Sequence, residues 1–297
     1  MVGKLIIGTS GWIKDGLCGF PISSELLIKY SASLSMLSVY WDDLVNSKID
    51  IPDTLSIIVE YHSYILALPD DFFERLAKIK NIKMIMIGCI WTYPTEINIR
   101  KLDDFIKNNC NHDYNFSFIF AYQDWYESES VKKLFLKHKR CVIVTPYLEN
   151  SIIMSGWAHN IKSTRTCSQK ETIKPIVTSN FQVFVLHGTL GPNMGSYIDH
   201  RFLQRFLHRI KKLLKRNIDI YCIFTAMGSM NHPIPPQISH IGFINPSFID
   251  TVTPVADTST CYIDANIFQI MYEKTKKYDI SEDGYVDVKF VYDTIYS

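Results

Sequence analysis

Short apolar runs recur along the chain, and most close in a polar or glycine-bearing turn that leads into a stretch with helical spacing. The runs fall at 4–8, 36–40, 64–68, 83–89, 116–120, 141–144, 183–186 and 218–224. Some, such as 84–87, are apolar without a break, which suits strands buried on both faces of a parallel sheet. Between them lie helical patterns at 23–30, 54–59, 72–80, 100–109, 130–139 and 200–216. The first opens on Ser23, a residue able to cap, and sets Leu26, Leu27 and Tyr30 at helical spacing. The second follows Pro52, which fits a first helical turn. The last is the longest and places Phe202, Leu203, Phe206, Leu207, Ile210, Leu213 and Leu214 on one stripe.

Alternation of strand and helix is the α/β pattern. Repeats of this kind over about 225 residues match a closed (β/α)8 TIM-like barrel better than an open sheet. The barrel is expected over 1–240, with a long polar loop inserted around 148–180. After Met227 the prolines of 231–236 stop regular structure, and 241–297 reads as a C-terminal helical extension packed on the barrel. Its helix, near 265–277, carries Ile267, Phe268, Ile270, Met271 and Tyr272 on a face that needs burial. Residues 279–284 imitate the start of a calcium loop, but Phe290 stands where the bidentate carboxylate belongs, so a cap is the better reading.

Composition narrows the classes. With 47% hydrophobic and 21% charged residues, the 297-residue chain can bury a full core and is not disordered. A net charge of +1 supplies no global attraction to nucleic acid or acidic membrane, so any basic surface is local. No stretch has the uninterrupted apolar length of a membrane span, and the N-terminus lacks a signal-peptide pattern. Seven cysteines without a CxxC pair suggest packed, reduced thiols and a cytoplasmic location.

The chemistry of a parallel α/β protein gathers where its strands end. There the chain offers Thr9, Ser10, Trp12, Asp42, Asp43, Trp91, Tyr122, Asp124, Trp125, Thr145, Tyr147, His187 and Tyr197. His187 with Asp42 or Asp124 has the makings of a base and its orienting carboxylate, if the three converge. A buried imidazole bonded to a neighbouring loop is the plainer reading of His187. No metal is expected, because three ligands do not gather, and no cofactor, because 191–196 follows neither Walker nor dinucleotide spacing. Thr9, Ser10, Trp12, Trp91, Tyr122, Trp125 and Tyr197 are candidates to hold a small polar or phosphate-bearing ligand at the barrel mouth. The loop aromatics either stack on such a ligand or pack the loops together, and the residues leave both open. On the helix 200–216 the polar face carries Arg201, Arg205, Lys212 and Lys215. A solvated outer face is the plainer reading and a nucleic-acid surface the sharper one.

Three motifs add a resemblance. Ile7-Gly8-Thr9-Ser10-Gly11-Trp12 with Phe20-Pro21 and 25–30, Asp124-Trp125-Tyr126, and Leu186-His187-Gly188 with Tyr197 and 219–224 resemble the YecE-like proteins, a domain of unknown function. The order and spacing agree over roughly four fifths of the chain. The resemblance implies an eight-stranded barrel like that of the endonuclease-IV and xylose-isomerase group, with no settled activity. It also implies losses. The family's glutamate and asparagine after the second strand correspond to Tyr40 and Asp42, and a lysine of its third strand to Ala67. The glutamate and arginine of its fifth strand correspond to Ile119 and Ala121, the arginine before the histidine to Val185, and the paired asparagines of the last strand to Thr225 and Ala226. Sequence therefore predicts a barrel mouth almost stripped of charge. The function it points to is a non-catalytic binding or scaffold protein derived from an enzyme-like barrel. A hydrolase or phosphoesterase using His187 with Asp42 or Asp124 is the alternative, and a nucleic-acid binder a weaker one.

Overall fold

Every described strand pair in the computed structural model is parallel. The structure describes residues 2–10, 23–62, 66–89, 93–110, 113–120, 124–148, 175–187, 200–225, 265–266 and 268–273. The elements run β1 (Leu5–Ser10), α1 (Ser24–Ser31), β2 (Met36–Tyr40), α2 (Trp41–Asn46), β3 (Ser56–His62), α3 (Phe72–Leu76), β4 (Ile82–Cys89) and α4 (Glu96–Asn109). There follow β5 (Asn115–Phe120), α5 (Asp124–Glu127), α6 (Glu129–Lys137), β6 (Cys141–Ile143), β7 (Thr145–Leu148), β8 (Phe181–His187), α7 (His200–Lys215) and β9 (Asp219–Thr225).

The sheet order is β6-β5-β4-β3-β2-β1-β9-β8-β7. Only Val144 separates β6 from β7, so 141–148 acts as one stave, paired with β5 through its first half and with β8 through its second. Gln182 stitches this seam, its Nε2 donating to the Ile143 carbonyl at 2.7 Å and to Thr145 Oγ1 at 3.1 Å. Eight parallel staves thus form a nearly closed (β/α)8 barrel alternating with helices.

Strand alternation divides the buried side chains into two sets. One set fills the layer between sheet and helices and includes Ile7, Leu37, Val39, Ile57, Val59, Ile85, Ile87, Phe116, Phe118, Phe184 and Phe224. The other lines the barrel interior: Met36, Ile58, Met84, Met86, Val142, Val144, Phe181, Val183, Val185 and Ile223. Phe206 of α7 meets Phe184 edge-on with ring centroids 5.2 Å apart, which ties the longest helix to the sheet. Residues 265–266 and 268–273 are helical, and buried Phe268 lies 5.4 Å from Phe206 and 5.7 Å from Phe224. Cys110, Cys141 and Cys222 are buried and unbridged.

Most predicted elements appear with shifted ends. Thr95 and Ser128 cap α4 and α6, accepting hydrogen bonds from Asn98 N–H at 3.3 Å and Val131 N–H at 3.4 Å, so both helices start earlier than their periodicity suggests. The stretch after Gln123 forms the short helix α5. One region is corrected outright. The helix expected at 54–59 is absent, and the third strand is β3, not 64–68. Pro52 opens a turn, closed by Leu55 N–H to the Pro52 carbonyl at 3.0 Å, and the β-branched run Ile57-Ile58-Val59 then takes the extended form it favours. Among the described residues no helix is long and apolar enough to cross a membrane.

Candidate functional site

Because β3 occupies 56–62, its inward positions are Ser56, Ile58, Glu60 and His62, and the last two stand at its C-terminal end. Register sets their neighbours. Ser10, Ser38 and Ile58 share one row across β1, β2 and β3; Tyr40, Glu60 and Met86 share the next; His62 pairs with Gly88 above them. Much of the buried interior is apolar, with Met36, Met84, Val142, Val144, Phe181 and Val183 packed together. Ser10, Ser38, Glu60 and His62 thus form a polar corner at the ends of β1–β4, with Ser117 of β5 a further buried polar residue in the Glu60–Met86 row.

Glu60 is the centre of that corner. It is 4% exposed. Its Oε1 accepts hydrogen bonds from Ser10 Oγ at 2.9 Å and Ser38 Oγ at 2.5 Å. Its Oε2 lies 3.8 Å from His62 Nε2, an ion-pair separation. Burial is the largest single influence on the Glu60 carboxyl and pushes its pKa up. The polar interaction with His62 and the two serine hydroxyls together outweigh it and hold Glu60 below the ordinary carboxylate range. Glu60 is thus a buried, ionised carboxylate at neutral pH.

Two residues shape the surroundings. Tyr40 ends β2 at the rim, its ring 5.4 Å from that of His62. The Glu60 charge first, then burial, then Asp43 push its phenol far above the ordinary tyrosine range, so it stays a proton donor. Gly88 leaves space for the imidazole: a Cβ there would sit 2.7 Å from His62 Nδ1. His62 retains 28% of its side-chain exposure, so the pair opens toward solvent on the imidazole side.

The residues singled out from sequence are placed as follows. Ser10 belongs to the Glu60 network. Thr9 is buried and serves the fold: its N–H donates to the Tyr30 hydroxyl at 2.9 Å and its Oγ1 lies 3.0 Å from the same atom, which itself donates to the Met36 carbonyl at 2.8 Å. Trp125 is fully buried and stacks on Phe120 at 4.3 Å, so packing takes up its ring. Trp41 does likewise, stacked on Phe72 at 4.1 Å. Asp42 is exposed in the first turn of α2. There, after burial, its charge raises the pKa of Tyr61, whose ring packs on Phe72 in the outer layer. Asp124 is half-buried at the start of α5. His187 is the last residue of β8, in register with Thr225 and Leu148. Its side chain, and with it any meeting with Asp42 or Asp124, lies outside the described residues. Arg205, Lys212 and Lys215 are exposed on α7, with Arg201 in the first turn of that helix. Trp12, Trp91, Tyr122 and Tyr197, the loop 191–196 and the calcium-like stretch lie outside the described residues. Among the described residues no three of His, Cys, Asp and Glu form a group that could hold a metal ion.

No family model matches the chain, and no curated protein matches it. Solved structures do. A DUF72 family protein from Thermotoga maritima aligns with a TM-score of 0.56 at 14% identity, covering 91% of this chain and 99% of the other. A DUF72 family protein from Enterococcus faecalis aligns with a TM-score of 0.51, also at 14% identity, covering 75% and 91%. The likeness is one of fold.

Two sequence correspondences change with the structure in hand. Ala67 lies outside any strand, so the lysine position assigned to it does not fall in the third strand. The barrel mouth is also not stripped of charge, since Glu60 and His62 stand at the end of the strand that was misplaced. Alternation within 56–62 was the signal that would have found them: Ser56, Ile58, Glu60 and His62 form one face, closing on two ionisable residues.

Proposed function

We propose that the chain is a divergent YecE-like barrel that acts as a binding protein, and that its ligand is a small polar molecule received at the ends of β1–β4. The buried Glu60 carboxylate carries this reading. An ion with so little exposure costs several kcal/mol unless it is well paired. Here hydroxyls from two other strands hold one oxygen, while the second faces the half-open His62. Such an arrangement is pre-organised to accept a hydrogen-bond donor or a positive charge beside the imidazole, and it disfavours a phosphate against Glu60 itself. The test is a thermal-shift screen of small amines, amides and polyols on the intact protein beside Glu60→Gln. Ligands that raise the melting point of the intact protein and not of Glu60→Gln support the reading. Equal shifts in both would overturn it.

A second reading, hydrolase or phosphoesterase chemistry, rests on the placement of Glu60 Oε2 near His62 Nε2. A carboxylate beside an imidazole orients it, the relation general bases use. In this version Glu60 takes the orienting role that sequence alone offered to Asp42 or Asp124, and His62 is the base. Turnover of a p-nitrophenyl ester or phosphate that His62→Ala abolishes would move the assignment from binding to catalysis.

A further inference from the structure

The segment 200–216 carries seven lysines and arginines and no acid, leaving 24 cations against 30 acids in the rest of the chain. Other helices handle their cations differently. In α1, α3, α4 and α6 an acid stands within a turn of a cation: Lys29–Glu25 at 2.9 Å, Lys78–Glu74 just past the end of α3 at 2.9 Å, Lys107–Asp103 at 2.7 Å and Lys132–Glu129 at 3.4 Å. Among the described residues no salt bridge is formed by Arg205, Lys212 or Lys215. Arg205, His208, Lys212 and Lys215 are all exposed and follow one another at alternating three- and four-residue steps, a single stripe on one face. At 1.5 Å per residue the stripe is about 15 Å long, with neighbours roughly one helical turn apart.

We propose that this stripe docks the phosphate backbone of a nucleic acid, without reading its bases. Three cations in a row with no interleaved acid suit a repeating anion, and phosphate contacts need little else. An acidic membrane fits less well, because the apolar face that would enter a bilayer is committed to the barrel: Leu203, Phe206, Leu207, Ile210, Leu213 and Leu214 are buried. An acidic protein partner fits less well too, since tight protein interfaces centre on aromatic or apolar anchors and the stripe presents none.

The experiment is fluorescence anisotropy of a labelled single-stranded oligonucleotide, and of the matching duplex, with the full chain from about 50 mM to about 200 mM salt. Binding that weakens steeply with salt is expected. The combined variant Arg205→Glu, Lys212→Glu, Lys215→Glu should weaken it about tenfold or more at low salt, and the milder glutamine triple variant guards against misfolding. Because the glutamine variant takes three cations away from the phosphates, it should lower the slope of log affinity against log salt by about 2 on single strands, roughly 0.7 for each cation. Absence of binding at low salt, an unchanged slope in the folded glutamine variant, or capture by phosphatidylserine vesicles without capture of either oligonucleotide would each overturn the proposal.

Discussion

Two parts of the same barrel interior obey opposite rules. Deep in the barrel, Met36, Ile58, Met84 and Met86 pack with Val142, Val144 and Val183, and their environment would reject a charge. Beside these residues and one row further on, β1, β2 and β3 present Ser10, Ser38, Glu60 and His62, and a full carboxylate is held ionised. The same strands supply both regions, and Ile58 and Glu60 are two residues apart. The difference teaches where each kind of free energy resides. The apolar layers set stability through burial and close packing. The polar corner contributes little net stability, because desolvation cancels much of what its hydrogen bonds return, and it holds a geometry instead.

Substitutions at the two levels separate these roles. Ile58→Ala removes a fully buried side chain from the interior, and urea unfolding should lose about 2–5 kcal/mol. The ring signals of His62 in proton–nitrogen spectra should barely move. A loss well under 1 kcal/mol would mean that the interior is not closely packed around Ile58.

Gly88→Ala should do the reverse. The new methyl would lie 2.7 Å from His62 Nδ1 and 3.1 Å from its Cε1, so the imidazole must swing aside. A side chain can yield more readily than backbone, which places the cost near the low end of the overpacking range, about 1 kcal/mol. The His62 ring signals should shift clearly while the melting point falls only slightly. Unmoved signals would show that Gly88 does not position His62.

The apolar level was the legible one. Runs such as 84–87 and 183–186 announce buried strands through composition alone, and the 200–216 stripe announces its inner face. The polar corner was not legible for a local reason. Pro52 beside Asp53 and Thr54 imitates a helix start, while 64–68 imitates a strand, and together they displaced β3 by several residues. With the strand misplaced, Glu60 and His62 fell into a connection and dropped out of the set of strand-end residues. Thr9 shows the complementary case. It stands at a strand end, but alternation turns it toward Tyr30 of α1, while Ser10 beside it turns inward to Glu60. Parity along the strand decided which residue joined the site, and a motif read as a block cannot resolve parity.

The smallest effect is the most discriminating, because it asks whether the corner really holds a charge. Glu60 has a lower pKa folded than unfolded, so as pH falls the unfolded chain takes up its proton first. The stability that its ionised form supplies is therefore complete above the unfolded carboxylate value, about 4.3, and drains away as pH drops from there through the folded value. Glu60→Gln keeps the shape and cannot titrate. The other carboxylates are common to both proteins, so the difference in melting point between them isolates Glu60. That difference should be flat from neutral pH down to about 5 and then shift steadily against the intact protein below about 4.3. If acid instead favours the intact protein over Glu60→Gln, the folded pKa is raised. Burial would then have won over His62, Ser10 and Ser38, and the corner would hold a neutral acid, following the rule of the apolar layers beneath it.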